Sequence, residues 1–404
     1  MAMEYNDYLD ILAASSRRVK NVTMEIIRPF EREIDWENRL ISIKGARGVG
    51  KTTLILQHMK DTFGMSEKAL YISLDSLWFE THPVYEVAEM HALNGGTHLF
   101  IDEVHYYKNW QTLLKNLYDE FPALNIVYTG SSILKIDSSR GDLSRRQIEY
   151  QMPGLSFREY LLFEGILSQD TYSLPQILEE HVAIAAGIIE KTNIMEHFHS
   201  YLKKGYYPFY KEVHSGYDLR IQQIINQVLE GDVPAVEAVN FTTVQKLKKM
   251  LMILSESTPQ QPNMSKLYEQ LETDRNQGLK MLWVLSRANL LAMLASESAT
   301  LKNMARPDKI YCDNTNLMYA LSEHSDTGSA RETFFLNQVR NGGHRIFYPS
   351  MGDFLVDGRY LFEVGGRNKS FAQIRNIPDS FLAIDDIEIG QKNRIPLWLF
   401  GFLY

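Results

Sequence analysis

Residues Gly45-Ala46-Arg47-Gly48-Val49-Gly50-Lys51-Thr52 match G-x-x-x-x-G-K-[ST], and no other stretch of the 404-residue chain constrains the fold as tightly. The octet follows the apolar run Leu40-Ile41-Ser42-Ile43 and precedes a helical pattern through Thr53, Leu54, Ile55 and Leu56. A strand, a glycine-rich turn and a helix in that order place the loop at the carboxyl end of a strand. Glycines let successive backbone N–H groups turn toward phosphate oxygens, and the helix dipole adds positive potential at the same point. Residues 45–53 are therefore expected to hold a nucleoside triphosphate, taken as ATP. Lys51 should reach the β- and γ-phosphates, and the Thr52 hydroxyl should bind Mg2+.

The residues around this loop read as strands alternating with helices. Ala69-Leu70-Tyr71-Ile72, His98-Leu99-Phe100-Ile101 and Asn125-Ile126-Val127-Tyr128 are short apolar runs, and Gln147 to Met152 alternates apolar with polar residues. Trp110, Leu113, Leu114 and Leu117 share one helical face. Strands alternating with helices imply a parallel sheet covered on both sides. The later run Ile395 to Tyr404 is apolar and aromatic, and is expected to be a buried strand.

Two carboxylates, Asp102 and Glu103, end the third of these strands. At a strand end beside a phosphate loop, Asp102 is expected to hold Mg2+ and Glu103 to polarise the attacking water. The run Ile126-Val127-Tyr128-Thr129-Gly130-Ser131-Ser132 ends another strand in hydroxyls. Ser131 is the first candidate to sense the γ-phosphate, and Thr129 the second. Arg140, Arg145 and Arg146 follow, and an arginine offered to a neighbouring copy's nucleotide would neutralise developing charge. Arg146 is the candidate chosen.

With these residues in hand, the chain resembles the bacterial and archaeal AAA+ ATPases whose C-terminal half is a domain of unknown function. The resemblance rests on GARGVGKTTL, FIDEVHYYKNWQTLLKNLYD, IVYTGSSIL, RRQIEYQMPGLSFREYL and YLKKGYYPFY. It continues with the Asp232-Val233-Pro234 turn, KIYCDNTNLMYAL and LFEVGGRNKSFAQI, so it covers nearly the full length. Relatives carry Gly-Arg where this chain has Arg145-Arg146. The resemblance implies an α/β P-loop AAA+ core with the acidic-pair strand in the middle of the sheet, and it implies assembly into a homo-oligomer. It also implies a winged helix and a C-terminal α/β domain similar to the PD-(D/E)XK nucleases. The expected segments are the ATPase core at 1–165, a helical region at 166–235, the winged helix at 236–318 and the nuclease-like domain at 319–404.

The winged-helix reading has its own support in the residues. Val244, Leu247, Leu251 and Leu254 form one apolar stripe and Met264, Leu267 and Leu271 a second. Leu279, Leu282, Trp283 and Leu285 form a third, starting after a cap at Thr273 or Asp274. A hairpin from Leu290 to Leu294 and from Lys309 to Tyr311 follows. Residues 241–310 carry ten basic and six acidic side chains, although the whole chain has a net charge of −8. Arg275, Asn276, Gln277 and Lys280 on the third helix are expected to face DNA.

In the last segment, Asp357-Gly358 between two apolar runs signals a hairpin. Glu332 on a helix and Asp353 and Glu363 on the hairpin arms suit a divalent metal for phosphodiester cleavage. The lysine expected two residues after the glutamate is replaced by Gly365, leaving Lys369 or Arg367 as substitutes and Gln373 on a following helix. The segment is therefore expected to bind rather than to cleave.

Composition removes several other classes. Hydrophobic residues at 45 % and charged residues at 23 % suit globular cores, and a net charge of −8 excludes a polybasic nucleic-acid coat. Cys312 is the single cysteine, which excludes a disulfide framework and a cysteine zinc site and points to the cytoplasm. No signal peptide or membrane-spanning run is evident. The expected function is an Mg2+-dependent ATPase that couples nucleotide state to nucleic-acid binding. The alternatives are a nucleotide-gated protein-binding scaffold and an ATP-regulated metal-dependent nuclease.

Overall fold

The computed structural model describes residues 3–404 except 133–142, 144, 214, 238, 257–262, 298–306 and 323–325. The chain packs as two compact units, Met1–Pro153 with Glu230–Ala238, and Gly154–Leu229 with Val239–Tyr404. The last three of the segments read from the sequence thus lie mostly in the second unit.

The first unit is built on five parallel strands: β1 (Leu40–Gly45), β2 (Ala69–Ser73), β3 (His98–Asp102), β4 (Asn125–Ser131) and β5 (Ile148–Gln151). Their order is β2-β3-β4-β1-β5, all neighbours parallel. The α/β parallel core expected from the strand–helix alternation is present. β1 and β4 are almost wholly buried, as continuous apolar runs inside a covered sheet must be. β5 is an edge strand with no buried residue. The helix Trp110–Glu120 buries Trp110, Leu113, Leu114 and Leu117 against β3 and β4 residues such as Leu99 and Ile126. One expectation is corrected. The acidic-pair strand β3 lies inside the sheet but not at its centre, because the crossover through that helix inserts β4 between β3 and β1.

The register aligns the strand ends that carry the candidate residues. Gly45 of β1 sits beside Ser131 of β4, and Ser73 of β2 beside Asp102 of β3. The phosphate loop, both acids and both candidate hydroxyls therefore share the carboxyl edge of the sheet, where ligands bind in open α/β folds.

In the second unit, three amphipathic helices, Phe241–Glu256, Met264–Gln270 and Arg275–Arg287, precede the antiparallel pair β6 (Leu291–Leu294) and β7 (Lys309–Cys312). Asp274 caps the third helix, its carboxylate accepting from the N–H groups of Asn276 and Gln277. Leu282 and Leu285 are buried as expected, but Trp283 is 43 % exposed. The buried stripe of this helix runs through Gly278, Met281, Leu282 and Leu285, and position 283 falls outside it.

The remaining strands are β8 (Ile346–Phe347), β9 (Phe354–Val356), β10 (Tyr360–Gly365), β11 (Ser380–Ile384) and β12 (Arg394–Pro396), in the order β12-β11-β10-β9-β8. β8, β9 and β10 pair antiparallel, and β10, β11 and β12 parallel. Asp357 and Gly358 turn β9 into β10 with φ of 55° and 67°, and the Arg359 N–H closes the turn on the Val356 carbonyl at 3.0 Å. The helix Thr327–Asn341 covers this sheet through Phe335, whose ring lies 4.8–5.1 Å from those of Phe354, Phe362 and Phe400.

The expected buried strand over Ile395–Tyr404 is not formed beyond Pro396, and Leu397–Phe402 is a 3-10 helix. Proline ends the ladder, and a segment buried on every side carries no periodicity by which strand and helix can be told apart. Residues 371–379 form turns rather than the helix expected around Gln373.

Candidate functional site

The phosphate loop leaves β1 at Gly45 and enters the helix Lys51–Phe63. A Cβ at position 45 would lie 2.4 Å from the carbonyl oxygen of Met152, so only glycine fits. Gly50 adopts φ 98° at the helix N-cap, a value that other residues rarely adopt. The buried Arg28 braces the loop from below, donating to the Val49 carbonyl at 3.1 Å and the Pro153 carbonyl at 2.8 Å. Sequence reading missed Arg28, which lies in an irregular stretch with no motif around it.

Lys51 is buried and its ammonium donates to the carbonyls of Gly45 and Ala46, at 2.9 and 3.0 Å. The ammonium thus lies across the loop it is expected to serve. Thr52 donates from Oγ1 to Oδ2 of Asp102 at 2.7 Å. Thr53 follows on the same helix and is exposed.

Asp102 is the centre of a hydroxyl cluster. Besides Thr52, it accepts from the Tyr71 phenol at 2.9 Å and from the Thr129 hydroxyl. Burial first, and then the Asp102 charge, push the Tyr71 phenol far above its ordinary value, so it stays protonated and donates. Thr129 also accepts from the Glu103 backbone N–H at 3.1 Å. Glu103 takes φ 54° and ψ 48°, a left-handed conformation that an unbranched acid adopts only under constraint. Burial raises the Glu103 carboxyl above its ordinary value, against the opposing pull of Lys51 and His105.

On the far side of Glu103, His105 is enclosed between two acids. Its Nδ1 lies 3.3 Å from Glu103 Oε2 and its Nε2 lies 3.5 Å from Asp232 Oδ1. Asp232 also accepts from Arg47 of the phosphate loop at 3.1 Å and from the Tyr106 hydroxyl at 2.9 Å. Burial by itself raises the Asp232 carboxyl, but His105, Arg47 and Tyr106 outweigh it and hold the group below its ordinary value. Sequence reading quoted Asp232 without giving it a role, because its place beside the loop comes from the fold.

The candidate hydroxyls separate. Ser131 adjoins Gly45 at the end of β4, whereas Thr129 links the two acids. Arg146 lies just before β5, at the amino edge of the sheet and away from its own phosphate loop. It is held by a two-point contact with Asp119, Nε to Oδ1 at 3.0 Å and NH2 to Oδ2 at 3.1 Å. Arg140 lies outside the described residues.

A second polar cluster forms in the other unit. Glu332 accepts from Lys309 at 3.2 Å and from Tyr311 at 2.9 Å. The Lys369 ammonium lies 3.8 Å from Glu363 and 4.0 Å from Asp353. A Cβ at Gly365 would come within 2.8 Å of the Lys369 side chain. Lys369, one of the two substitutes expected for the lysine absent at position 365, thus lies near both hairpin acids.

Residues 37–161 match the family described as an AAA domain, and residues 195–328 match a domain of unknown function, DUF8612. These two matches fall where the resemblance placed an AAA+ core and a C-terminal part of unknown function. An uncharacterized protein of Methanocaldococcus jannaschii is 26 % identical over 95 % of this chain and 88 % of its own length. Among solved structures, AMPPCP-bound DnaA from Aquifex aeolicus matches 69 % of this chain and 88 % of its own, at 13 % identity and a TM-score of 0.27. PCH-2 of C. elegans matches 70 % of this chain and 69 % of its own, at 17 % identity and a TM-score of 0.22. Among the described residues no helix is long and apolar enough to cross a membrane.

Proposed function

We propose that the AAA domain of this protein binds ATP with Mg2+ and hydrolyses it, and that the second unit engages nucleic acid. The observation that carries the first part is the Thr52–Asp102 contact at 2.7 Å beneath a complete phosphate loop. A hydroxyl and a carboxylate are the hard oxygen donors Mg2+ prefers, so the residues present fit that ion. Bound there, Mg2+ would neutralise charge on the phosphates. The chain's own residues do the rest. Backbone N–H groups of residues 46–51 and the Lys51 ammonium bind phosphate oxygens once Lys51 leaves the Gly45 and Ala46 carbonyls. Glu103 accepts a proton from the attacking water, and Thr129 holds the Glu103 backbone in place. Arg146 is proposed to act on a neighbouring copy, since it lies at the opposite edge from its own loop.

Two variants test the reading. Lys51→Ala is expected to abolish tight ATP binding in calorimetry. Glu103→Gln is expected to bind ATP and release phosphate at least about a hundredfold more slowly. Normal turnover by Glu103→Gln would remove that residue from its role.

Nucleic-acid engagement is supported by the exposed face of the helix Arg275–Arg287, where Arg275, Asn276, Gln277, Lys280 and Trp283 all lie in solvent. A basic helix ahead of a hairpin suits the winged-helix reading, and an exposed tryptophan offers a base-stacking surface. Affinity for duplex DNA should fall steeply with salt. The absence of binding at low salt would favour a protein-binding scaffold.

A second reading has one specific observation behind it. Lys369 supplies an ammonium between Glu363 and Asp353, the group whose absence from the sequence motif argued against cleavage. Incubating plasmid with the protein and Mg2+ or Mn2+ tests it, with Lys369→Ala as the control.

A further inference from the structure

Asp232 stands apart from the other acids of the first unit. It comes from Glu230–Ala238, a short stretch that packs with residues 1–153 although the chain before and after it belongs to the other unit. A π-helical turn, Val228–Asp232, leads into it, a strained element that recurs at functional positions. The carboxylate is 1 % exposed. Its Oδ1 takes all the contacts described above, while Oδ2 is buried with no hydrogen-bond partner among the described residues. An orphaned buried carboxylate oxygen is unfavourable, and packing alone does not account for keeping it.

The groups it touches account for it better. Arg47 belongs to the phosphate loop, and His105 lies 3.3 Å from the Glu103 carboxylate. One buried anion therefore touches a loop cation and lies within 3.5 Å of an imidazole whose other nitrogen approaches Glu103.

We propose that Asp232 is a positioning residue for ATP hydrolysis, orienting Glu103 through His105 and restraining Arg47. This rests on the hydrolysis reading above. The arrangement gives opposite signs to binding and turnover. The Asp232 charge partly neutralises Arg47, which weakens the pull of the loop on bound phosphate. The same charge holds His105, and so Glu103, in the geometry that turnover needs. Removing it frees Arg47 for the phosphates and loosens Glu103.

Asp232→Asn keeps the shape and removes the charge. The expected result is a fall in kcat of about tenfold to a hundredfold with KM for ATP unchanged or lower. Affinity for a fluorescent ATP analogue should be undiminished. General damage to the fold would instead raise KM and weaken binding. His105→Gln leaves the Arg47 and Tyr106 contacts to Asp232 intact, so it should lower kcat alone. The double variant should be no slower than the slower single variant, because both act on one path to Glu103. If Asp232→Asn melts below the assay temperature, the His105→Gln result decides the proposal by itself. Wild-type kcat in either folded variant, or losses that multiply in the double, overturns the proposal and leaves the hydrolysis reading standing. A wild-type protein that binds ATP without turnover sinks both, which separates the two failures.

Discussion

Thr129→Val isolates the hydroxyl that joins the two acids. Valine matches threonine in shape but neither donates to Asp102 nor accepts from the Glu103 N–H, the two bonds Thr129 makes in the structure. A hydrogen bond to a charged carboxylate contributes about 1.5–3 kcal/mol, and a buried N–H left without an acceptor costs about 1–3 kcal/mol. Asp102 keeps Thr52 and Tyr71 as donors, which places the total toward the lower end, roughly 3 kcal/mol. That is a large share of a typical ~5–15 kcal/mol stability, yet the protein should still fold. The functional loss should be larger. Glu103 takes φ 54° with its N–H on Thr129, and displacing the proposed base by about 1 Å should cost roughly a hundredfold in rate. Urea unfolding should show a lower midpoint with an unchanged slope, and a phosphate-release assay should show the lost turnover. Ser131→Ala is the comparison. Ser131 adjoins Gly45 rather than the acids, so it should alter nucleotide affinity more than kcat. Thr129→Val at wild-type stability and turnover would refute the role of this hydroxyl as the link between the acids.

Other consequences can be measured. Gly45→Ala drives a methyl against the Met152 carbonyl, a backbone atom that cannot rotate away. A loss of about 1–3 kcal/mol in unfolding free energy is expected, together with weakened ATP binding in calorimetry. Asp232 is held below its ordinary carboxyl value of 3.8, so the stability it contributes is complete above that pH and is lost as pH falls through the lower folded value. The gap in unfolding free energy between wild type and Asp232→Asn should therefore be constant near neutrality and narrow in acid below about pH 4. A gap that widens in acid would contradict the assigned sign.

Much of the local geometry of the first unit was legible in the chain itself. The octet Gly45–Thr52, the strand ending in Asp102-Glu103 and the strand ending in Thr129 and Ser131 are local signals. They are carried by spacing and by apolar runs long enough to be buried. The hairpin at Asp357-Gly358 was legible for the same reason, since the residue types answer to dihedral angles. Trp283 misled because an apolar residue near a helical stripe was counted as part of it. The run Ile395–Tyr404 misled because uniform burial erases the period that distinguishes strand from helix.

What tertiary structure decided is who meets whom. Nothing in the order of residues tells that Asp232 lies against Arg47, that Tyr71 donates to Asp102, or that Arg28 supports Val49. Those meetings depend on crossovers and on a returning segment far along the chain. The chain by itself determined the form of the loop Gly45–Thr52, because that is local backbone geometry. The fold decided how the charges around that loop are held, because electrostatic partners are chosen by distance in space and not by distance in sequence.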